Sequence, residues 1–160
     1  MVVAQPILSP FWCYDVVVRL ESAYHISQMP RVIATMNTFA NSFAIGNTPT
    51  KEFHFPRRFG KTLTCIAYAL QLCAVSRDTH VLMVTTGVRA ARAMRKKLDD
   101  LQWPDVTSRI RVRAATEDVT PLNYAEYVIV DECAFVDEWP SIRLKNFRAV
   151  GLTTPLLLAT

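Results

Sequence analysis

Three short pieces of this chain carry side chains suited to handling a phosphate. The first is FHFPRRFGKT, residues 53–62, where a Gly-Lys-Thr triplet follows a basic turn. In a loop of the form G-x-x-x-x-G-K-[ST], the backbone N–H groups of the turn and of the following helix surround phosphate oxygens. Those groups lack helical partners and carry the positive end of the helix dipole. Gly60 would allow close approach, Lys61 would contact the β- and γ-phosphate oxygens, and the Thr62 hydroxyl would coordinate magnesium. The front of the loop is irregular. Phe55 stands where the first glycine belongs, with Pro56, Arg57, Arg58 and Phe59 between it and Gly60.

The second piece is VIVDE, residues 128–132, and the third is LLLAT, residues 156–160. Asp131, at the end of an apolar run, would hold magnesium through water, and Glu132 would orient and polarise a water attacking a γ-phosphate. The alternative is that GKT is only a helix start and DE only a solvated strand end. Either match alone is common. Their joint occurrence in this order, each after an apolar run, favours nucleotide chemistry.

Elements that could position these residues are readable around them. From Phe11 to about Gly46 the apolar spacing predicts two helices interrupted at Met29-Pro30, followed by the turn-rich AIGNTPTK. A short strand is expected around Glu52–Phe55, then a buried helix from Lys61 to about Ser76, with Leu63, Ile66, Ala67, Leu70 and Leu72 leaving few exposed positions. THVLMVTT, residues 79–86, reads as a strand covered on both faces and ended by Gly87. Residues 88–102 read as a helix with Ala90, Ala91, Met94, Leu98 and Leu101 inward, stopped by Trp103-Pro104. RIRVRAA, residues 109–115, alternates as a strand with a basic face; 126–132 and 154–160 read as buried strands, and 141–150 as a short helix. Buried strands alternating with helices imply an α/β fold with a parallel sheet and helices on both faces. Ligand chemistry would then gather at the carboxyl ends of the strands.

At 160 residues and 51% hydrophobic, the chain can bury the core of one domain and does not read as disordered. No repeat or low-complexity tract interrupts it. The first twenty residues contain Pro6, Pro10, Asp15 and Arg19 and fit neither a signal peptide nor a membrane helix. Cys13, Cys65, Cys73 and Cys133 are scattered without C-x-x-C or zinc-ligand spacing, which favours reduced thiols and an intracellular location. A net charge of +4 and a pI of about 9.0 permit an anionic partner such as nucleic acid.

FPRRFGKT, followed by VLMVTTGVRAARAM, VIVDECAF and LLLAT, resembles the ATPase domain of the terminase large subunit, the DNA-packaging motor of tailed bacteriophages and herpesviruses. In that family the first loop glycine is lost and an arginine stands three residues before the Gly-Lys-Thr glycine, the position of Arg57. Pro56-Arg57-Arg58 matches the Pro-Arg-Arg of the herpesvirus form, and Phe59 is a mild departure in a variable slot. The family's Asp-Glu-Ala motif is matched by Asp131 and Glu132, with Cys133 in place of the small residue and Ala134 next. Its coupling motif is matched by Leu156 to Thr160, where Thr160 would sense the γ-phosphate.

The resemblance, over roughly residues 50–160, implies a P-loop NTPase (RecA/ASCE-like) three-layer fold with a mainly parallel sheet, incomplete at its C-terminus. Residues 1–50 would be a helical lead-in and 51–160 the ATPase core. It also implies ATP and Mg2+ as cofactors and Glu132, Lys61 and Arg57 as catalytic residues, with Arg57 placing a cation against charge developing on the γ-phosphate. Implied partners are double-stranded DNA, a homo-oligomeric ring, and portal and small terminase subunits. The location would be the host nucleus for a herpesvirus-like protein and the host cytoplasm for a phage-like one. A nuclease domain, usual in the family, does not follow Thr160, so the chain reads as a fragment or one exon's product.

Two other readings compete. The order GKT, VDE, LLLAT also fits the first domain of a superfamily 2 helicase-type translocase, and a degenerate ATPase fold could serve as an assembly module. Several further residues have double readings. Arg58 is a loop residue or an exposed turn arginine, and His54 a packing residue. Gln28 is either an adenine contact or a polar residue before Pro30. Arg89, Arg92, Arg95, Lys96 and Lys97 form either a DNA-backbone contact or a solvated face partly balanced by Asp99 and Asp100. One of Arg109, Arg111 and Arg113 could serve a neighbouring subunit's site, and Trp139-Pro140 reads as a packing turn.

Overall fold

The run VLMVT, Val81–Thr85 (β2), is buried at every position and lies inside a parallel sheet. In the computed structural model, the residues described are 8–43, 50–53, 60–85, 87–114, 127–130 and 156–159. The other strands are β1 (Thr50–Phe53), β3 (Ile110–Ala114), β4 (Tyr127–Val130) and β5 (Leu156–Ala159), in the spatial order β1-β5-β4-β2-β3. All four pairings are parallel. The fold is therefore α/β with a parallel sheet. Between the strands and before them lie α1 (Tyr14–Tyr24), a 3-10 turn at Ile26–Gln28, α2 (Pro30–Phe43), α3 (Lys61–Val75), α4 (Val88–Asp100) and α5 (Pro104–Thr107).

The connections β1-α3-β2 and β2-α4-β3 shift in the same direction across the sheet. Right-handed crossovers therefore put α3 and α4 on one face. One core cluster joins α3 and α4 to Val81, Met83, Ile110, Val112, Ala114 and Ile129, which share that face by register. Leu82, Val84 and Val128 occupy the other face and are buried outside that cluster. Burial on both faces is why these strands read as unbroken apolar runs rather than alternations.

Helix α3 is buried without interruption from Thr64 to Gln71, because the sheet covers one side of it and α1 and α2 the other. The aromatic centre of the helical layer is Phe39, fully buried, stacked on Trp12 at 6.1 Å and edge-on to Tyr68 at 5.2 Å. Burial, and then the neighbouring Tyr127, push the Tyr68 hydroxyl well above the usual phenol range. Gln71, polar within this core, accepts the Cys13 N–H at 2.7 Å and donates to the Phe11 carbonyl. It thereby ties the segment before α1 to α3 and satisfies its own buried amide.

The expected elements recur with small displacements. The helix after β2 ends at Asp100, two residues before the expected stop, since Gln102 takes a left-handed φ of 51°. Pro104 then opens α5 at its first position, where a missing N–H costs nothing. Strand β1 spans Thr50–Phe53 and so overlaps the strand expected around 52–55 at 52 and 53; residues 54 and 55, and the helix expected over 141–150, lie outside the described residues.

Candidate functional site

Gly60 precedes α3 with φ 84° and ψ 29°, a left-handed conformation. An L side chain there costs about 1–2 kcal/mol. Space excludes one as well. A Cβ on Gly60 would lie 2.9 Å from Val32 Cγ2 and 3.0 Å from Cγ1. The first turn of α2 therefore abuts the head of α3, so the N-terminal helices form one wall of this region. Nothing in the local pattern around Val32 signals this contact; only the glycine hints that something sits close.

As an N-cap, Gly60 brings no side-chain acceptor to the first N–H groups of α3. Its carbonyl accepts the Thr64 N–H and the Thr64 hydroxyl, both at 2.8 Å. Thr64 is thus committed to the helix. Lys61 and Thr62 form the first turn and are half-buried.

The sheet brings the three motif-bearing strands side by side. β5 pairs with β1 through Phe53↔Ala159 and with β4 through Val130↔Leu158. Glu52, Leu158 and Val130 are therefore level, and all three strands leave the sheet in the same direction. Adjacent strands are about 4.8 Å apart, so the ends of β1 and β4 stand roughly 10 Å apart with β5 between them. Asp131 is one peptide bond beyond Val130, and Thr160 one beyond Ala159. His54, Pro56, Arg57, Arg58, Phe59, Asp131, Glu132, Cys133, Trp139, Pro140 and Thr160 lie outside the described residues.

Gln28 is exposed in the 3-10 turn that leads into α2, four residues before Val32. Arg109 is a different matter. Its guanidinium donates to the carbonyls of Cys73 (2.7 Å), Ser76 (2.6 Å) and Thr79 (3.2 Å), and its Nε to Asp105. It closes the C-terminal end of α3, at the amino end of the strands, and faces away from the carboxyl edge where the motifs gather. A role for Arg109 in a neighbouring subunit's site is therefore withdrawn, because its donors are engaged inside its own fold. Arg95 is exposed, but its guanidinium donates to Val112 O at 2.7 Å on the outermost strand, where that carbonyl would otherwise face outward.

Arg111 is exposed and Arg113 half-buried on the sheet face opposite α4. Cys13, Cys65 and Cys73 form no disulfide among the described residues. Among the described residues no cluster of His, Cys, Asp and Glu could hold a metal ion, and no helix is long and apolar enough to cross a membrane.

The arrangement can do one kind of chemistry. An anion at the head of α3 would meet the first backbone N–H groups of that helix, and β4, two strands from β1, runs toward the same edge. The chain matches no protein-family model, no curated protein and no solved structure.

Proposed function

We propose that this chain is the ATPase domain of a viral DNA-packaging terminase large subunit, built on a P-loop NTPase fold of the RecA/ASCE kind. The observation that carries the proposal is the insertion of β5 between β1 and β4. It draws the glycine-lysine-threonine helix head, the residue before Thr160 and the residue before Asp131 to one sheet edge, in adjacent strands. All the strands end at this edge because all are parallel; what the order adds is that only β5 separates the strand before GKT from the strand before DE.

In this reading Lys61 and the first N–H groups of α3 bind the β- and γ-phosphates. Arg57 sets a positive charge against the γ-phosphate, and Pro56, Arg58 and Phe59 complete the loop. Glu132 takes a proton from, and orients, the attacking water. The Thr62 hydroxyl and the Asp131 carboxylate are hard oxygen donors of the type magnesium takes. When bound, magnesium would neutralise charge on the phosphate oxygens. Thr160, the residue after β5, would sense loss of the γ-phosphate and pass it to the rest of the motor.

Hydrolysis of magnesium-ATP by Lys61→Ala and Glu132→Ala variants tests the proposal. Both should fall to background. If neither substitution alters nucleotide binding or turnover, the enzyme reading is wrong and the fold serves as a binding module.

A further inference from the structure

The charges on α4 run against its own helix dipole. Arg89 and Arg92 lie near the amino end, there is no acidic residue in the first turn, and the last turn carries Asp99 and Asp100 beside Lys97. Negative charge stabilises a helix start and positive charge a helix end, each by about 0.3–1 kcal/mol, so this order weakens the helix. Its N-cap, Gly87, offers no side-chain cap to compensate. Helix stability does not account for the arrangement.

Geometry shows what the charges share. Ala91, Met94 and Leu98 are the buried positions of α4. At about 100° per residue, Arg89, Arg92 and Lys96 fall within one stripe on the opposite, outer face, which ends at Asp100 one turn beyond Lys96. All three are exposed, and none has an ion-pair partner among the described residues. The stripe is about 10 Å long, which matches roughly three base steps of a duplex strand. It starts directly after the carboxyl end of β2, on the same sheet edge as the ends of β1, β5 and β4.

We infer that the outer face of α4, through Arg89, Arg92 and Lys96, is a docking surface for the phosphate backbone of double-stranded DNA. The choice of partner rests on the proposed packaging function; the cationic stripe does not. Its place matters, because a backbone held there is next to the edge where the γ-phosphate would be lost, so strain at one can reach the other through β2.

Fluorescence anisotropy with a labelled 20-base-pair duplex, measured across a potassium chloride series, tests the surface. Wild type should bind with a steep salt dependence, and Arg89→Ala/Arg92→Ala/Lys96→Ala should flatten the log–log slope by about 2.7. Between 50 and 200 mM salt that amounts to about a 40-fold smaller loss of affinity for the triple variant than for wild type. Arg77→Ala, an exposed arginine in the turn after α3, should leave the slope within one unit of wild type. The triple variant should keep its thermal midpoint, since alanine suits an exposed helix position. An unchanged slope in the folded triple variant, an equal change in Arg77→Ala, preference for duplex RNA, or no duplex binding by wild type would each overturn the inference. Retention of ATP hydrolysis in any of those outcomes would leave the proposed function standing.

Discussion

Replacing Gly60 by alanine should destabilise the protein through two separable terms. The backbone term is the left-handed φ of 84°, which costs a non-glycine residue about 1–2 kcal/mol. The packing term is the new methyl group's approach to 2.9 Å from Val32 Cγ2 and 3.0 Å from Cγ1, where ordinary contact begins near 3.4 Å. Relief requires α2 to shift or Val32 to leave its rotamer, and overpacking of this kind costs about 1–3 kcal/mol. The sum is about 3 kcal/mol, measured as a lowered midpoint in urea unfolding with an unchanged slope. A double-mutant cycle with Val32→Ala separates the terms, since removal of both Val32 methyls leaves the backbone cost and only the milder 3.2 Å contact with the residue 32 Cβ. Gly60→Ala should then cost about 1–2 kcal/mol in the Val32→Ala background. An equal cost in both backgrounds would show that α2 does not press on the head of α3, and a neutral Gly60→Ala would refute the left-handed conformation itself.

Other substitutions reach different parts of the structure. Arg109→Ala removes charged hydrogen bonds to the Cys73, Ser76 and Thr79 carbonyls and should cost about 2 kcal/mol in denaturant unfolding while leaving ATP turnover unchanged; a selective loss of turnover would restore it to the site. Phe39→Ala empties the stack between Trp12 and Tyr68 and should cost about 3–5 kcal/mol, read as a drop in thermal midpoint with loss of near-UV aromatic dichroism. Tyr24, whose hydroxyl donates to Lys97 O, has its pKa pushed from 10.0 up to about 12, first by burial and then by Asp100. The stability it lends is whole below pH 10 and is lost as pH rises through about 12. Tyr24→Phe should be less sensitive than wild type to alkali over that window, and parallel pH profiles for the two would contradict this. Glu21 is held below the usual carboxylate range, first by the Ser27 hydroxyl and backbone N–H; its contribution is present at neutral pH and lost on acidification, so Ser27→Ala should flatten the acid limb of the unfolding profile.

Elements whose residues are buried on every side were plain in the sequence. The continuous run of α3 and the five buried residues of β2 follow from a hydrophobic pattern that no exposed helix or edge strand would carry. The order of the strands was not legible, because chain order does not say which strands pair, and the insertion of β5 between β1 and β4 is a long-range choice. The contact between Val32 and Gly60 was hidden for the same reason. Arginines were misread where their partners are backbone carbonyls. Arg109 reads as one member of an exposed alternating face, yet α3's last carbonyls claim it, and those acceptors leave no trace in residue type. Within the candidate site, Gly60 was legible as a point of close approach but not in its left-handed backbone, and the motif order pointed to the edge at which β1, β5 and β4 end.

The most direct measurement compares equilibrium binding with turnover of magnesium-ATP in Glu132→Gln and Lys61→Ala. The account predicts that Glu132→Gln binds ATP as wild type does and hydrolyses it about 100–10,000-fold more slowly, because only proton removal from water is lost. Lys61→Ala should fail at binding itself. Wild-type turnover in Glu132→Gln, or undiminished ATP affinity in Lys61→Ala, would contradict the claim that the head of α3 and the end of β4 form one nucleotide-hydrolysing site.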